Sequence, residues 1–179
     1  MAPYSIRQYG DPVLKQRAKE ITDIDGALVK LADDMLTTMY EAPGLGLAAP
    51  QVGVQKRLFV YDLGAGPGVL INPEIRESDG EWTYDEGCLS VRDLSWEIMR
   101  PKTIHIVGFD LDGNEVEFEA DELEARMFQH EFDHLEGILL VERLNEEQRR
   151  EALKVLRQRT LGLPGDPQPA ANGRGLSLK

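Results

Sequence analysis

One cysteine among 179 residues cannot close a disulfide on itself, so Cys88 has to be a packed thiol, a reactive one or a metal ligand. Histidine is almost as scarce, with three in all. Apolar residues nowhere run uninterrupted for the roughly 18 positions that a bilayer demands. The N-terminus shows no basic stretch leading into an apolar run, so the expectation is a cytoplasmic protein without membrane contact. Cations are outnumbered, and unevenly: 13 Lys and Arg against 30 Asp and Glu over residues 1–148, but 7 against 2 over 149–179. An acidic body argues against a broad or sequence-reading nucleic-acid surface, which needs clustered cations. The basic C-terminal segment is left as a candidate docking element.

What is present suffices for one core, since 41% of the residues are hydrophobic. Leu28, Leu31, Ala32, Met35, Leu36 and Met39 follow the helical period, with Asp23 or Asp25 placed to cap the start. Residues 42–53, APGLGLAAPQVG, carry prolines and glycines that argue against regular helix or strand and predict a shaped loop. RLFVYDL (57–63), VLINPEI (69–75) and two alternating runs around Asp112-Gly113 within 103–120 read as short, mostly antiparallel strands. A further helix is predicted from about Asp121 to Glu136, and a last one from Asn145, with Gln148 completing a capping box. The class is therefore α+β: small antiparallel sheets around a central helix, flanked by an N-terminal and a C-terminal helix. Residues 1–161 are expected to form one domain and 162–179, rich in Pro and Gly, a disordered tail.

The central helix carries QHEFDHLEG (129–137). At about 100° per residue, His130 and His134 share a face with Leu123 and Met127, and Glu131 falls inside the apolar arc beside them. Glu122, Arg126, Gln129, Asp133 and Glu136 collect on the opposite side, the strip expected to meet solvent. Histidines four apart on a helix can converge on one metal, and a carboxylate in an apolar setting has the raised pKa that a proton shuttle needs. The competing explanation is a pair of core histidines with a paired internal acid. Two ligands are too few for a catalytic site, and no histidine follows His134. Upstream, Cys88 within EGCLS (86–90) would complete a Cys/His/His set, although a lone cysteine is more often a small buried hydrophobe.

Together, GLGLAAPQ (44–51), EGCLS (86–90) and QHEFDHLEG (129–137) resemble the peptide deformylase family, over roughly residues 3–145. The resemblance implies a metal-dependent hydrolase that removes the N-formyl group from the first methionine of nascent polypeptides. It implies Cys88, His130 and His134 as metal ligands, Glu131 as acid/base toward an attacking metal-bound water, and Gln51 with the backbone N–H of Leu89 as oxyanion donors. Fe(II) is the implied native ion, with Zn(II), Ni(II) or Co(II) able to replace it. Gly44 and Gly46 would let the loop meet an extended peptide, and Leu45, Leu123 and Met127 could build the methionine pocket. Two departures stand out: Arg92 where the family commonly has proline, expected to change the cleft rim, and Glu122 where it commonly has glycine, expected to change how the helix begins.

Glu86 and Arg100 are candidate partners of a ligating imidazole, or else a surface ion pair. His105, in a strand pattern, has no assigned role. The rival functions are a zincin-like endopeptidase, which would retain metal without Cys88, and a non-catalytic metal-binding or ribosome-associated module, which the presence of Glu131 and Gln51 disfavours. The basic C-terminal segment invites docking to the ribosome.

Overall fold

The computed structural model describes residues 3–161; the expected tail, 162–179, lies outside the described residues. Asp25 accepts the Leu28 amide at 2.8 Å and opens helix α1, Gly26–Glu41, whose stripe of Leu28, Leu31, Ala32, Met35 and Met39 is buried. Residues 42–53 depart from the expected irregular loop. They hold a three-residue strand, β1 (Gly46–Ala48), and a 3-10 turn, Ala49–Val52, closed by Gly53 at φ 84°. The glycine and proline content is compatible because β1 is an edge strand and Pro50 falls after it, within the turn.

β1 begins a five-stranded antiparallel sheet with β2 (Leu58–Tyr61), β3 (Gly68–Asp79), β6 (Thr103–Phe109) and β7 (Glu115–Asp121), in the order β1-β2-β3-β6-β7. Gly113, at φ 81°, makes the foreseen turn between the last two. β2 reads as an unbroken apolar run because both its faces are covered: Leu58 and Val60 pack with α1, and Phe59 packs with helix α2, Glu122–Leu135. Phe128 anchors α2, with the rings of Phe59, Tyr61 and Phe118 at 5.8, 5.1 and 5.3 Å. Burying such a side chain contributes roughly 1.5–3 kcal/mol.

β4 (Trp82–Cys88) and β5 (Val91–Arg100) form a separate hairpin that the sequence did not announce. Its buried residues include Glu86 and Arg100, and these break the apolar alternation that identifies strands. Residues 139–144 and helix α3, Glu146–Thr160, cover it with Leu139, Leu140, Leu144, Ala152 and Leu156. The Asn145–Gln148 capping box is formed, with reciprocal bonds of 2.9 and 3.2 Å.

The expected solvated strip of α2 is a correction. Arg126, Gln129 and Asp133 are 0, 6 and 5% exposed, because the hairpin and residues 139–144 close over them. Only Glu122 and Glu136 of that strip keep appreciable access to water.

Candidate active site

Phe128 and Leu135 hold α2 against the large sheet, which turns His130, Glu131 and His134 toward the end of β4. There the hairpin breaks register after Gly87, and Cys88 enters a tight connection to Val91. The ligand atoms of Cys88, His130 and His134 all lie within 4.8 Å of one another, and Cys88 Sγ is 3.2 Å from His134 Nε2. His130 donates Nδ1–H to Glu86 at 2.7 Å, which leaves its Nε2 for a metal. A thiolate and two imidazoles at this spacing fit a divalent transition ion with an open coordination position, and the site binds metal through these three side chains.

Charge in the site follows from burial. The Glu86 carboxylate, held by Arg100 at 2.8 and 2.6 Å and by Arg126 at 2.7 Å, stays well below the usual carboxylate range although burial alone would raise it. Burial by itself would lower the His130 pKa, but Cys88 and Glu86 outweigh it and hold that pKa well above the ordinary imidazole value. His134 is held well below it, by burial and by the charge of His130. Burial pushes Glu131 up to about 7. Its Oε2 is buried and finds no hydrogen-bond partner among the described residues.

Glu131 lies over β1, where a Cβ on Gly46 would stand 2.6 Å from its Oε1. The 3-10 turn after β1 brings Gln51 inward. Its Oε1 accepts the Ala48 amide at 2.8 Å, so Nε2 points to Ser90 Oγ at 3.1 Å and Cys88 Sγ at 3.8 Å. The N-terminal segment braces both loops: Arg7 N–H donates to Gln51 O at 2.7 Å, and Tyr9 N–H to Ser90 O at 2.8 Å.

Leu45, Gly46, Gln51, Cys88, Leu89, Met127, His130 and Glu131 line one cleft with Gly87. His134 stands behind its wall as the third ligand. Two expected substrate contacts are not brought in. Gly44 donates its amide to Met39 O at 3.0 Å, finishing α1, and half-buried Leu123 is not part of the lining. Arg92 is exposed on β5 outside the lining, where Arg159 reaches its carbonyl. Glu122 takes φ 42°, a left-handed conformation natural to the glycine it replaces. His105 faces Glu117 and Glu119, remote from the cleft.

Sequence reasoning missed Ser90, Arg126, Asp133 and Arg143. Asp133 accepts from Arg100 at 2.8 Å and pairs with Arg143, extending the charge network that starts at Glu86. Their partners lie on other elements, so no local pattern marks them.

The polypeptide deformylase family model matches residues 3–150. A peptide deformylase of Agathobacter rectalis is 54% identical over 144 residues, covering 80% of this chain and 91% of the relative. That of Acidothermus cellulolyticus is 43% identical over 183 aligned positions, with 99% and 100% covered. The crystal structure of peptide deformylase from Thermus thermophilus superposes with a TM-score of 0.84 at 42% identity, over 89% of this chain and 96% of that one. With its buried Cys/His/His set and a buried glutamate beside it, the chain belongs to the peptide deformylase family, metal-dependent hydrolases that take the N-formyl group from the first methionine of new proteins.

Proposed function

We propose that Glu131 is the acid/base of this deformylation. The observation that carries the assignment is its buried carboxylate, with Oε2 unpartnered among the described residues and a pKa near neutrality, in the same cleft as Cys88 and His130. A divalent ion held by Cys88, His130 and His134 supplies a Lewis acid that acidifies water and polarises a carbonyl. Glu131 takes a proton as water adds to the formyl carbon. It returns that proton to the methionine nitrogen as the C–N bond breaks, so that formate and a free amine leave. The Gln51 amide, aimed by its bond to Ala48, and the Leu89 backbone N–H serve as donors to the oxygen that becomes negative.

The free edge of β1 suits pairing with an extended peptide, with Gly46 admitting close approach. Leu45 and Met127 are the apolar groups for the methionine side chain; Leu123 and Gly44 support the site from outside the lining. Fe(II) is the proposed native ion, with Zn(II), Ni(II) or Co(II) as substitutes. Residues 1–161 act as one metallo-hydrolase domain. Its substrates are newly made chains, which places the work in the cytoplasm, and no described helix is long and apolar enough to cross a membrane. Arg149, Arg150, Lys154 and Arg157, exposed on α3, belong to the basic segment proposed to dock at the ribosome.

Formate release from a formyl-methionyl tripeptide tests the assignment. Glu131→Ala and metal-free protein should each lose the activity, and Cys88→Ala should lose the ion. Equal rates for wild type, Glu131→Ala and metal-free protein would remove it. Ribosome co-sedimentation that is unchanged when the chain stops at Gly162 and Arg149, Arg150, Lys154 and Arg157 are also replaced by Ala would remove docking by the basic segment.

A further inference from the structure

The buried apolar clusters do not explain how the metal ligands come to meet. Cys88 belongs to the cluster beneath the β4–β5 hairpin and α3, whereas the apolar residues of α2 pack with Phe59, Leu70 and Ile106 of the large sheet. What crosses between the two is charge. Arg126, one helical turn before His130 and fully buried, donates Nη1 to Glu86 Oε2 at 2.7 Å. Its Nη2 reaches the carbonyls of Trp82 at 2.6 Å and Ile98 at 3.0 Å, and its guanidinium lies 5.0 Å from the Trp82 ring centroid. Those acceptors stand on both strands of the hairpin.

We propose that Arg126 is a positioning residue for the metal site. By gripping β4, β5 and the Glu86 carboxylate from helix α2, it sets where Cys88 stands relative to the two histidines. The chemistry of the Glu86 carboxylate supports this. Its Oε2 is held by Arg126 and by Arg100 Nε, which orients Oε1 toward Arg100 Nη2 and His130 Nδ1. The His130 ring therefore inherits its orientation from two guanidiniums, one of them on its own helix. A fork-shaped cation with an aromatic backing can make these bonds together, and a methionine of similar length can make none of them. Losing such support behind a ligating histidine typically costs roughly 10–100-fold in metal affinity.

The inference rests on Cys88, His130 and His134 holding the ion, and the test separates the two. Wild type, Arg126→Met, Arg126→Lys and Arg57→Met are loaded with Co(II). The thiolate-to-cobalt absorption, the rate at which a chelator strips the ion, thermal unfolding and the KM-against-kcat split are recorded. Arg57→Met is the control, a buried cation paired with Glu136 at the far end of α2. Arg126→Met should release cobalt at least about tenfold faster, with a shifted thiolate band and a lower kcat at unchanged KM. Arg126→Lys should fall between it and wild type. Arg57→Met should lose stability and change neither the band nor the release rate.

A wild-type band and release rate in Arg126→Met, or in Arg126→Lys where the methionine variant does not fold, would overturn the inference. Equal changes in Arg57→Met would do the same. Wild type with no thiolate-to-cobalt band would remove the metal reading itself, and the inference with it.

Discussion

Glu131 and Gly46 are packed so closely that the smallest side chain on the glycine would overlap the carboxylate, with 2.6 Å between the added Cβ and Oε1. Position 46 therefore bears on where the Glu131 carboxylate, the proposed acid/base, can stand, and Gly46→Ala should displace it. A misplacement of about 1 Å at a reacting group costs about 10²-fold in rate. The expected result is a kcat/KM for a formyl-methionyl peptide lowered to that extent, with an unaltered circular dichroism spectrum. Full activity in Gly46→Ala would show that Glu131 has room to spare.

The pKa of Glu131 makes metal-free stability depend on pH. Burial raises the group from 4.5 to about 7, so between those values the native state keeps a proton that the unfolded chain has lost. The resulting stabilisation is complete below the unfolded value and is gone once pH passes about 7. Glu131→Gln has no such proton to lose. Urea midpoints of the metal-free proteins should diverge in favour of Glu131→Gln from about pH 5 to about pH 8, and a pH-independent difference would contradict the shift.

Glu122 is held at φ 42° where α2 begins, with its amide donated to Lys102 O at 2.9 Å and its carboxylate 3.4 Å from the Lys102 ammonium. A left-handed non-glycine residue costs roughly 1–2 kcal/mol, and glycine returns part of that in chain entropy. Glu122→Gly should raise stability by about 0.5–1 kcal/mol, or ~1–4 °C in Tm. A lower melting temperature would mean that the exposed ion pair outweighs the backbone.

Asp133 joins Arg100 at 2.8 Å and also takes Arg143, and it is 5% exposed. Asp133→Ala strips one carboxylate from a buried network, a change that costs about 3 kcal/mol at the lower end of such losses, since Arg100 keeps Glu86. Thermal unfolding should fall by ~6–12 °C. A drop within a degree or two would show that water replaces the carboxylate at no loss.

Residues acting within a few positions of one another were legible in the sequence. The His130–His134 spacing, the misplaced Glu131, the Asp25 cap and the Asn145–Gln148 box are local geometry, and each predicts itself. The hairpin and the charge network were not legible, because their logic is long-range. Arg126 reads as solvated until Glu86, 40 residues earlier in the chain, is placed beside it. Glu86 and Arg100, taken from sequence as either a surface pair or partners of a ligand, are resolved only by the burial that the hairpin provides. Gly44 and Leu123 were expected at the substrate because they share a motif or a helical face with residues that line the cleft, but the Gly44 amide ends α1 and Leu123 stays outside the lining.

Because Cys88 and the helix of the two histidines belong to separate apolar clusters joined by the Glu86–Arg126–Arg100 charge network, a bound ion would add a second clasp between them. Stripped of metal, amide protons of β4, β5 and α3 should trade with deuterated solvent sooner than those of β2 and β3, and loading the ion should bring the two groups to a common, slower rate. Fidelity of metal loading would then be written into how long the hairpin stays shut.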